Sequence, residues 1–322
     1  MHDPAVLIVG AGPAGLAAAA ELARRGINDI LVIDRDDAAG GLPRFCAHPG
    51  FGIGYAPVPQ KGPDFAARLV RAAEKKRIRI LCSTTMTALE AGPTVTITGP
   101  ETGYRTLRPR AVILATGVRE ANRGNRLVPG DRPEAGIMTT GLLQQMVARK
   151  VPFPAAIKSI VVVGTEHVSF SAIWTARHAG LNVRTMIDEK PRVGSFRAAG
   201  WLARAMGVDI RLRTRIAAIK AQDNRVSGVV IDGPRGTETI PCDGVVFTAN
   251  WIPETAALTA SPVKIDSETR GIAVGSAGRT NLAGVFAAGN VLHPIKASGS
   301  CAIQGRRVGA AVAIHFELNA TA

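Results

Sequence analysis

A glycine-rich turn close to the start of the chain has the residue types that let a phosphate group approach the backbone. Gly10, Gly12 and Gly15 are spaced as G-x-G-x-x-G directly after the apolar run 5–9. Gly10 permits a tight turn, Gly12 leaves room for a pyrophosphate, and Gly15 lets the following helix pack closely on the strand. Asp34 follows Gly10 by 24 residues, where a carboxylate can accept hydrogen bonds from ribose hydroxyls. The pattern predicts a dinucleotide-binding βαβ unit with the phosphates at the helix N-terminus.

Two later segments favour FAD as the dinucleotide. The segment 111–117, AVILATG, resembles the strand-plus-ATG signature of flavoproteins with two dinucleotide-binding domains, and 280–290, TNLAGVFAAGN, resembles their second FAD signature. In that superfamily the last residue of this signature is usually Asp, and Asn290 replaces it here. Asn can still donate and accept hydrogen bonds, but it removes one negative charge near the phosphates. The layout of the whole chain resembles thioredoxin-reductase-like enzymes, which implies non-covalent FAD.

The motif and this resemblance together predict a set of cofactor-binding residues along the chain. These are Gly10, Gly12, Pro13, Ala14, Gly15, Asp34, Arg35, Gly41, Leu42, Met86, Ala115, Thr116, Gly117, Gly289, Asn290, Lys296, Ala297 and Ser298. By resemblance, the stretch 296–298 lies against the pyrimidine end of the flavin ring, where a cation or a helix N-terminus stabilises the reduced, anionic flavin.

A second βαβ pattern begins at the buried run 160–163 and departs from the glycine motif. Gly164 is kept, but Glu166 and Ser169 stand at the second and third glycine positions. Two unit charges ~4 Å apart repel by about 4 kcal/mol at an effective dielectric of 20, and a helix dipole returns only roughly 0.3–1 kcal/mol per charge. The next strand ends in Asp188 and Glu189 rather than the arginine pair of thioredoxin-reductase-like enzymes, so NADP is the least favoured nicotinamide. We expect no ordinary NAD(P)H binding at this degenerate site.

A closer resemblance is to the FAD subunits of complexes that oxidise amines and amino acids: opine oxidase, hydrogen cyanide synthase and hydroxyproline dehydrogenase. It is carried by the segments 40–52, GGLPRFCAHPGFG, and 127–133, LVPGDRP, the latter running into 138–141, MTTG. The segments 251–253, WIP, and 287–294, AAGNVLHP, add to it. This resemblance implies a subunit that works with a redox partner on reduced-nitrogen substrates.

Candidates for the chemical step are few. Cys46 and His48 lie in the loop after Gly41, where a Cys–His thiolate pair is one interpretation, and a loop thiol beside a loop-anchoring imidazole is the other. Lys296 is either the cation at the flavin pyrimidine or a solvated loop lysine. The catalytic residues are otherwise unassigned.

The composition limits the other classes of function. The four cysteines are widely spaced and form no CxxC pair, which argues against a dithiol redox centre, a structural zinc site and an iron–sulfur cluster. The net charge of +14 raises the possibility of nucleic acid binding, but the basic residues are spread out and aromatics are only 4%. We therefore expect no nucleic acid and no metal, and an acidic electron carrier or an anionic substrate would fit the charge.

No apolar run is long enough to span a membrane, and the first strand starts almost at Met1, so a cytoplasmic protein without a signal peptide is expected. The two βαβ patterns predict an α/β fold of two Rossmann-like, doubly wound domains, the second inserted into the first. The FAD-binding domain would comprise 1–121 and 251–322, and the NAD(P)-binding-like domain 122–250.

We expect from these patterns an FAD-dependent oxidoreductase of the dehydrogenase type, a subunit that oxidises an amine, amino acid or opine and passes electrons to a partner. Two alternatives stay open. One is an NADH-linked reductase of a ferredoxin-like carrier, and the other is a non-catalytic subunit that holds FAD within a complex.

Overall fold

The computed structural model describes residues 2–294 and 297–320. Within them the α-helices are α1 (Pro13–Arg24), α2 (Gly62–Lys75), α3 (Thr140–Ala148), α4 (His167–His178), α5 (Arg197–Ala205) and α6 (Ser298–Ala320). The strands are β1 (Val6–Val9), β2 (Ile30–Ile33), β3 (Pro49–Phe51), β4 (Gln60–Lys61), β5 (Arg79–Leu81), β6 (Thr85–Glu90), β7 (Thr94–Gly99), β8 (Gly103–Leu107), β9 (Ala111–Leu114), β10 (Val118–Glu120), β11 (Ile137–Thr139), β12 (Ser159–Val163), β13 (Asn182–Asp188), β14 (Asp209–Leu212), β15 (Arg215–Gln222), β16 (Arg225–Gly233), β17 (Gly236–Pro241), β18 (Gly244–Phe247), β19 (Trp251–Pro253) and β20 (Val285–Ala287).

The chain divides into two compact units. Unit 1 comprises Met1–Arg119 and Ile252–Ala322, and unit 2 comprises Glu120–Trp251, so the second is an insertion in the first. The bounds predicted from the sequence differ from these by one or two residues. The predicted fold class, two Rossmann-like α/β units, is confirmed.

Unit 1 is built on a five-stranded parallel sheet in the order β20-β9-β1-β2-β5. Side chains alternate between the two faces of β1, because successive residues of a strand point to opposite sides. Val6 and Ile8 pack in one cluster with Leu16 of α1 and Phe65 of α2, whereas Leu7 packs with the antiparallel meander β6-β7-β8. Both faces of the sheet are therefore covered, which explains why its central strands are continuous apolar runs.

Unit 2 repeats this architecture. Its parallel sheet has the order β11-β18-β12-β13-β14, and the antiparallel meander is β15-β16-β17. Ile160 and Val162 of β12 pack with the helices, and Val161 and Val163 pack with the meander. The carboxyl ends of β12 and β13 therefore hold the turns that correspond to the glycine turn and to Asp34 in unit 1.

The last helix is longer than the pattern from the sequence predicted. The sequence pattern predicts this helix over 305–318, whereas α6 begins at Ser298. Its glycines lie where α6 meets other backbone: a Cβ on Gly305 would lie 2.0 Å from the carbonyl oxygen of Ala14, and one on Gly309 would lie 2.6 Å from that of Ala18. These small residues therefore let α6 pack tightly on α1.

Candidate functional site

The glycine turn of unit 1 is formed by close approaches of backbone to backbone. Gly10 has φ +111°, and a Cβ there would lie 2.3 Å from the carbonyl oxygen of Ala115. A Cβ on Gly15 would lie 1.9 Å from the carbonyl oxygen of Gly10. Neither position tolerates a side chain, so both glycines hold α1 close to the end of β1, as the motif predicts.

Gly12 differs from these two glycines because the space beside it is open. A Cβ there would meet nothing nearer than the Cα of Gly41, at 4.0 Å. Gly12 is the N-cap of α1, no side chain caps the helix, Pro13 follows it, and the first turn carries no acidic residue. A helix start whose N-cap has no capping side chain, together with an open cradle, fits the pyrophosphate of FAD.

Asp34 is fixed at the carboxyl end of β2. Its Oδ2 accepts a hydrogen bond from the backbone N–H of Ala11 at 2.7 Å, and its Oδ1 accepts one from the N–H of Asp36 at 2.9 Å. Burial raises the pKa of this carboxyl, while the two N–H donors act in the opposite direction. A carboxylate has about four acceptor positions, so the geometry leaves acceptors for ribose hydroxyls.

Several predicted cofactor residues from distant parts of the sequence converge around the start of α1. A Cβ on Gly41 would lie 2.9 Å from the Cα of Gly12, and one on Gly289 would lie 2.9 Å from the Cβ of Ala14. Ala115 lies against Gly10, as described above. The convergence supports one continuous cofactor surface along this end of the sheet of unit 1.

Other predicted cofactor residues lie around this surface. Met86 is buried in the cluster beneath the meander, and Leu42 is exposed at the start of a short 3-10 helix. Asn290 lies in the 3-10 turn after β20. Ser298 begins α6, and its Oγ accepts a hydrogen bond from the N–H of Gly52 at 3.4 Å. Ala297 is exposed, and Lys296 lies outside the described residues.

Two residues that the sequence did not predict hold this surface in place. The main chain of Glu254 accepts a hydrogen bond from the Thr116 hydroxyl at 2.7 Å, and its carboxylate pairs with Arg35 at 3.0 Å. The side chain of Gln304 accepts a hydrogen bond from the N–H of Gly289 at 3.1 Å. Neither residue belongs to a motif, and only the folded structure brings them to the turns that they support.

The structure favours the loop-thiol interpretation of Cys46. The Cys46 Sγ lies 3.5 Å from the carbonyl oxygen of Leu42, to which it donates, and the thiol is buried. The Nδ1 of His48 lies 2.9 Å from the carbonyl oxygen of Pro49, so that nitrogen carries the proton. Each side chain is thus engaged with main chain in its own loop, as expected for structural residues.

The turn of unit 2 has the same backbone frame as the turn of unit 1. Gly164 has φ +124°, and its N–H donates to Ile187 O at 2.8 Å, as the N–H of Gly10 donates to Ile33 O at 2.8 Å. Asp188 stands where Asp34 stands, and its Oδ2 accepts from the Thr165 hydroxyl at 2.5 Å. The internal repeat, with 24 residues between glycine and acid in both units, is a signal in the sequence that identifies Asp188.

The helix start of unit 2 is satisfied by its own residues. The Oγ of Ser169 accepts from the N–H of Glu166 at 3.0 Å and shares a buried hydrogen bond of 2.6 Å with the Thr248 hydroxyl. The Glu166 carboxylate pairs with the Lys190 ammonium at 2.6 Å. The negative charge that we expected to repel a pyrophosphate is therefore matched by a cation, which weakens that argument.

A cavity of about 320 Å³ lies at the carboxyl ends of the strands in unit 2. It is lined by Arg126, Leu127, Val128, Pro129, Val163, Glu189, Arg215, Ile216 and Asn250. Arg126 is fixed there, since its guanidinium donates to the carbonyls of Ala121 and Thr248, and burial lowers its pKa. Open α/β sheets bind ligands at this edge.

Among residues 2–294 and 297–320, no group of three or more His, Cys, Asp or Glu side chains could hold a metal ion. In the same part of the chain, no helix is long and apolar enough to cross a membrane.

Comparison with known proteins gives one family model, described as pyridine nucleotide-disulphide oxidoreductase, that matches residues 4–312. Rhodocoxin reductase of Rhodococcus erythropolis is 27% identical over 272 residues, which cover 80% of this chain and 59% of that protein. A ferredoxin–NADP reductase of Ignicoccus hospitalis is 26% identical, with 94% of this chain and 95% of that protein covered. The chain thus spans less than two thirds of rhodocoxin reductase.

Among solved structures, thioredoxin reductase of T. acidophilum superposes with a TM-score of 0.82 over 98% of this chain and 100% of that one, at 23% identity. This likeness concerns the fold. The resemblance to thioredoxin-reductase-like enzymes is supported, whereas the closer resemblance to the FAD subunits of amine-oxidising complexes is not shown. The chain belongs to the pyridine nucleotide-disulphide oxidoreductase family, whose members are FAD-dependent oxidoreductases.

Proposed function

We propose that this chain is an FAD-dependent reductase that takes electrons from NADH and passes them to a small protein carrier of the ferredoxin type. This is the alternative left open by the sequence, and it replaces the amine dehydrogenase as the main proposal. The observation that carries it is the nucleotide-binding frame of unit 2, in which Gly164, Asp188 and the cavity at the strand ends are all present. FAD, when bound, accepts a hydride and releases electrons singly, which is the chemistry that such a reductase needs.

The acidic residues of unit 2 favour NADH over NADPH. Asp188 ends β13, and Glu189 lines the cavity. An acid at this position accepts hydrogen bonds from the ribose hydroxyls of NAD, whereas a 2′-phosphate would face two carboxylates. The earlier expectation that no nicotinamide binds is not supported, because the relatives include an NADP reductase and the charge of Glu166 is paired.

A one-electron protein carrier is favoured over a disulfide as acceptor. The chain has four cysteines and no CxxC pair, which is the dithiol that exchange with a disulfide acceptor would need. The net charge of +14 would steer an acidic carrier, with association rates that fall steeply as salt rises. Two relatives support this choice by their names, which are rhodocoxin reductase and, for the Ignicoccus protein, ferredoxin–NADP reductase.

Anaerobic reduction of the flavin by NADH tests the proposal. NADH should bleach the flavin absorbance faster than NADPH does, and Asp188→Ala should slow the reaction with NADH. Asp209→Ala, which removes an exposed aspartate of the same unit, is the matched control and should leave the rate unchanged. Failure of both nicotinamides to reduce the flavin would overturn the proposal.

A second candidate is the dehydrogenase subunit for an amine, amino acid or opine. The side chains of Glu166 and Ser169 at the helix start of unit 2 favour it, because they occupy positions that the dinucleotide motif leaves to glycine. Bleaching by an amine and not by NADH would support this candidate. If neither substrate reduces the flavin, the non-catalytic FAD-holding subunit becomes the better proposal.

A further inference from the structure

We propose that the ion pair between Glu166 and Lys190 is a built-in competitor for the pyrophosphate of a dinucleotide in unit 2. The carboxylate of Glu166 holds the Lys190 ammonium, and a dinucleotide binds when Lys190 exchanges this partner for a phosphate. Glu166 thereby sets the affinity of unit 2 for its nucleotide. The inference rests on the proposed function in one respect, that the dinucleotide is NADH.

The backbone at Glu166 has the conformation of the proposed phosphate-binding turn in unit 1. Gly12, the N-cap of α1, has φ −81° and ψ −173°, and Glu166, the N-cap of α4, has φ −81° and ψ 174°. The main chain therefore takes the same conformation at both helix starts. The two sites differ at this point in their side chains, hydrogen in one and carboxylate in the other.

The Glu166 carboxylate is the less exposed partner of the ion pair, since the Lys190 side chain is 55% exposed. Its Oε1 lies 2.6 Å from the Lys190 Nζ, and the carboxylate side chain is 25% exposed. The hydrogen bond to Glu166 is the main cause that raises the pKa of Lys190. The ammonium stays charged and is available to a phosphate as soon as it leaves the carboxylate.

The segment 190–196, which contains Lys190, packs against the start of α4 beside Glu166. The N–H of Gly194 donates to the Thr165 hydroxyl at 3.0 Å, and the Ser195 Oγ lies 2.6 Å from Nδ1 of His167. A Cβ on Gly194 would lie 3.1 Å from the Cγ of Glu166, so the side chain of Glu166 is packed against this segment. An incoming pyrophosphate must displace the carboxylate, since both would occupy the space beside the helix start.

Equilibrium binding of ADP-ribose tests the exchange without any electron transfer, because this probe carries the pyrophosphate and no nicotinamide. Glu166→Gln keeps the size of the side chain and removes its charge, and Glu166→Gly restores the second glycine of the motif. Both should bind ADP-ribose roughly tenfold or more tightly than the wild type, since a repulsive charge beside the phosphates is removed. Glu134→Gln removes an exposed carboxylate elsewhere in unit 2 and should change nothing.

Lys190→Ala tests the second half of the exchange. It should weaken ADP-ribose binding both in the wild type and in the Glu166→Gly background, because Lys190 binds the phosphate in either case. Thermal melting of each FAD-loaded variant verifies that it is folded. Unchanged or weaker ADP-ribose binding in a folded Glu166→Gln variant overturns the inference, and so does a Lys190→Ala change without effect in the Glu166→Gly background.

The same variants separate this inference from the proposed function. If Glu166→Gln tightens ADP-ribose binding and NADH still leaves the flavin oxidised, the inference stands and NADH is not the donor. If NADH reduces the wild type rapidly and the ADP-ribose affinity does not respond to Glu166, the inference fails and the proposed function stands.

Discussion

Gly12→Glu places in unit 1 the side chain that unit 2 carries at the corresponding position, and we expect the variant to lose FAD while it stays folded. The φ of −81° at Gly12 is open to any residue, and the nearest atom to a Cβ is 4.0 Å away. The substitution therefore creates neither backbone strain nor a steric clash at the Cβ within the protein. The loss falls on the cofactor, whose pyrophosphate would meet a carboxylate without a paired lysine.

The size of this effect follows from the charges. Two unit charges at ~4 Å repel by about 4 kcal/mol at an effective dielectric of 20. Gly12 is half-buried, so solvent reduces the repulsion to about 2–4 kcal/mol, which corresponds to an affinity roughly 30- to 700-fold weaker at 1.4 kcal/mol per tenfold.

Three variants separate charge from bulk. Apo protein is reconstituted with FAD, and the dissociation constant is measured by quenching of flavin fluorescence. Gly12→Gln adds the same bulk without charge, so its loss of affinity should be smaller than that of Gly12→Glu, and Gly12→Ala should lose least. Full flavin occupancy in folded Gly12→Glu would show that the pyrophosphate does not lie at this turn.

Three further outcomes follow from the packing and the titration of other groups. Burial raises the pKa of Cys242 to about 12, so a thiol reagent at pH 8 should label Cys242 in the unfolded protein only, as mass spectrometry of the labelled peptide would show. The arginine partners of Glu21 lower its pKa to about 2 from 4.5, so its ionised form stabilises the fold above about pH 4.5 and this contribution is lost as the pH falls towards 2. Glu21→Gln should therefore lower the melting temperature at pH 7, and the difference from the wild type should shrink over that acidic window. Ser169→Ala removes hydrogen bonds to the Thr248 hydroxyl and to the start of α4 and should cost about 1–3 kcal/mol in urea unfolding, whereas an equally stable variant would show that this contact contributes nothing.

The elements of unit 1 that border the cofactor could be predicted because they are short, wholly buried strands. The apolar run 30–33 predicts a strand that has those bounds in the structure, and the run 111–115 predicts one that ends a single residue earlier, at Leu114. Parallel strands that are covered on both faces consist of apolar residues throughout, so the apolar run in the sequence marks their bounds clearly. The glycine turn was equally clear, since each glycine there has a steric reason that belongs to the motif.

Two elements of unit 2, β17 and α5, show no clear pattern in the sequence, because their burial is one-sided or weak. The last strand of its meander, β17, is exposed at nearly every residue, so it shows no buried alternation. Helix α5 contains Gly200 and exposes Trp201 and Leu202, which contradicts the expectation that apolar residues mark the buried face of a helix. Such elements are stabilised by neighbours that are distant in the sequence.

The sequence predicted those residues of the candidate site that belong to motifs. Sequence spacing identified Glu166 as a departure, but it gave no indication that Lys190 pairs with it, because that contact depends on the path of segment 190–196. An unpaired Glu166 carboxylate would repel the phosphates of any nucleotide in unit 2. With Lys190 as its partner, the backbone frame of the turn remains open to a dinucleotide once this ion pair is broken.

The two units place different side chains on one backbone frame. The hydrogen bonds that close the turns at Gly10 and Gly164 match, and the N-cap angles at Gly12 and Glu166 match as well. A difference in ligand binding between the units must therefore arise from side chains. In unit 1 the glycines leave the helix start to the cofactor, which suits a group that stays bound through many turnovers. In unit 2 Ser169 and Glu166 occupy the helix start themselves, and under the proposed exchange a nucleotide displaces the contact between Glu166 and Lys190 and is released when that contact re-forms. A reductase needs this second behaviour at the site where its electron donor enters and leaves.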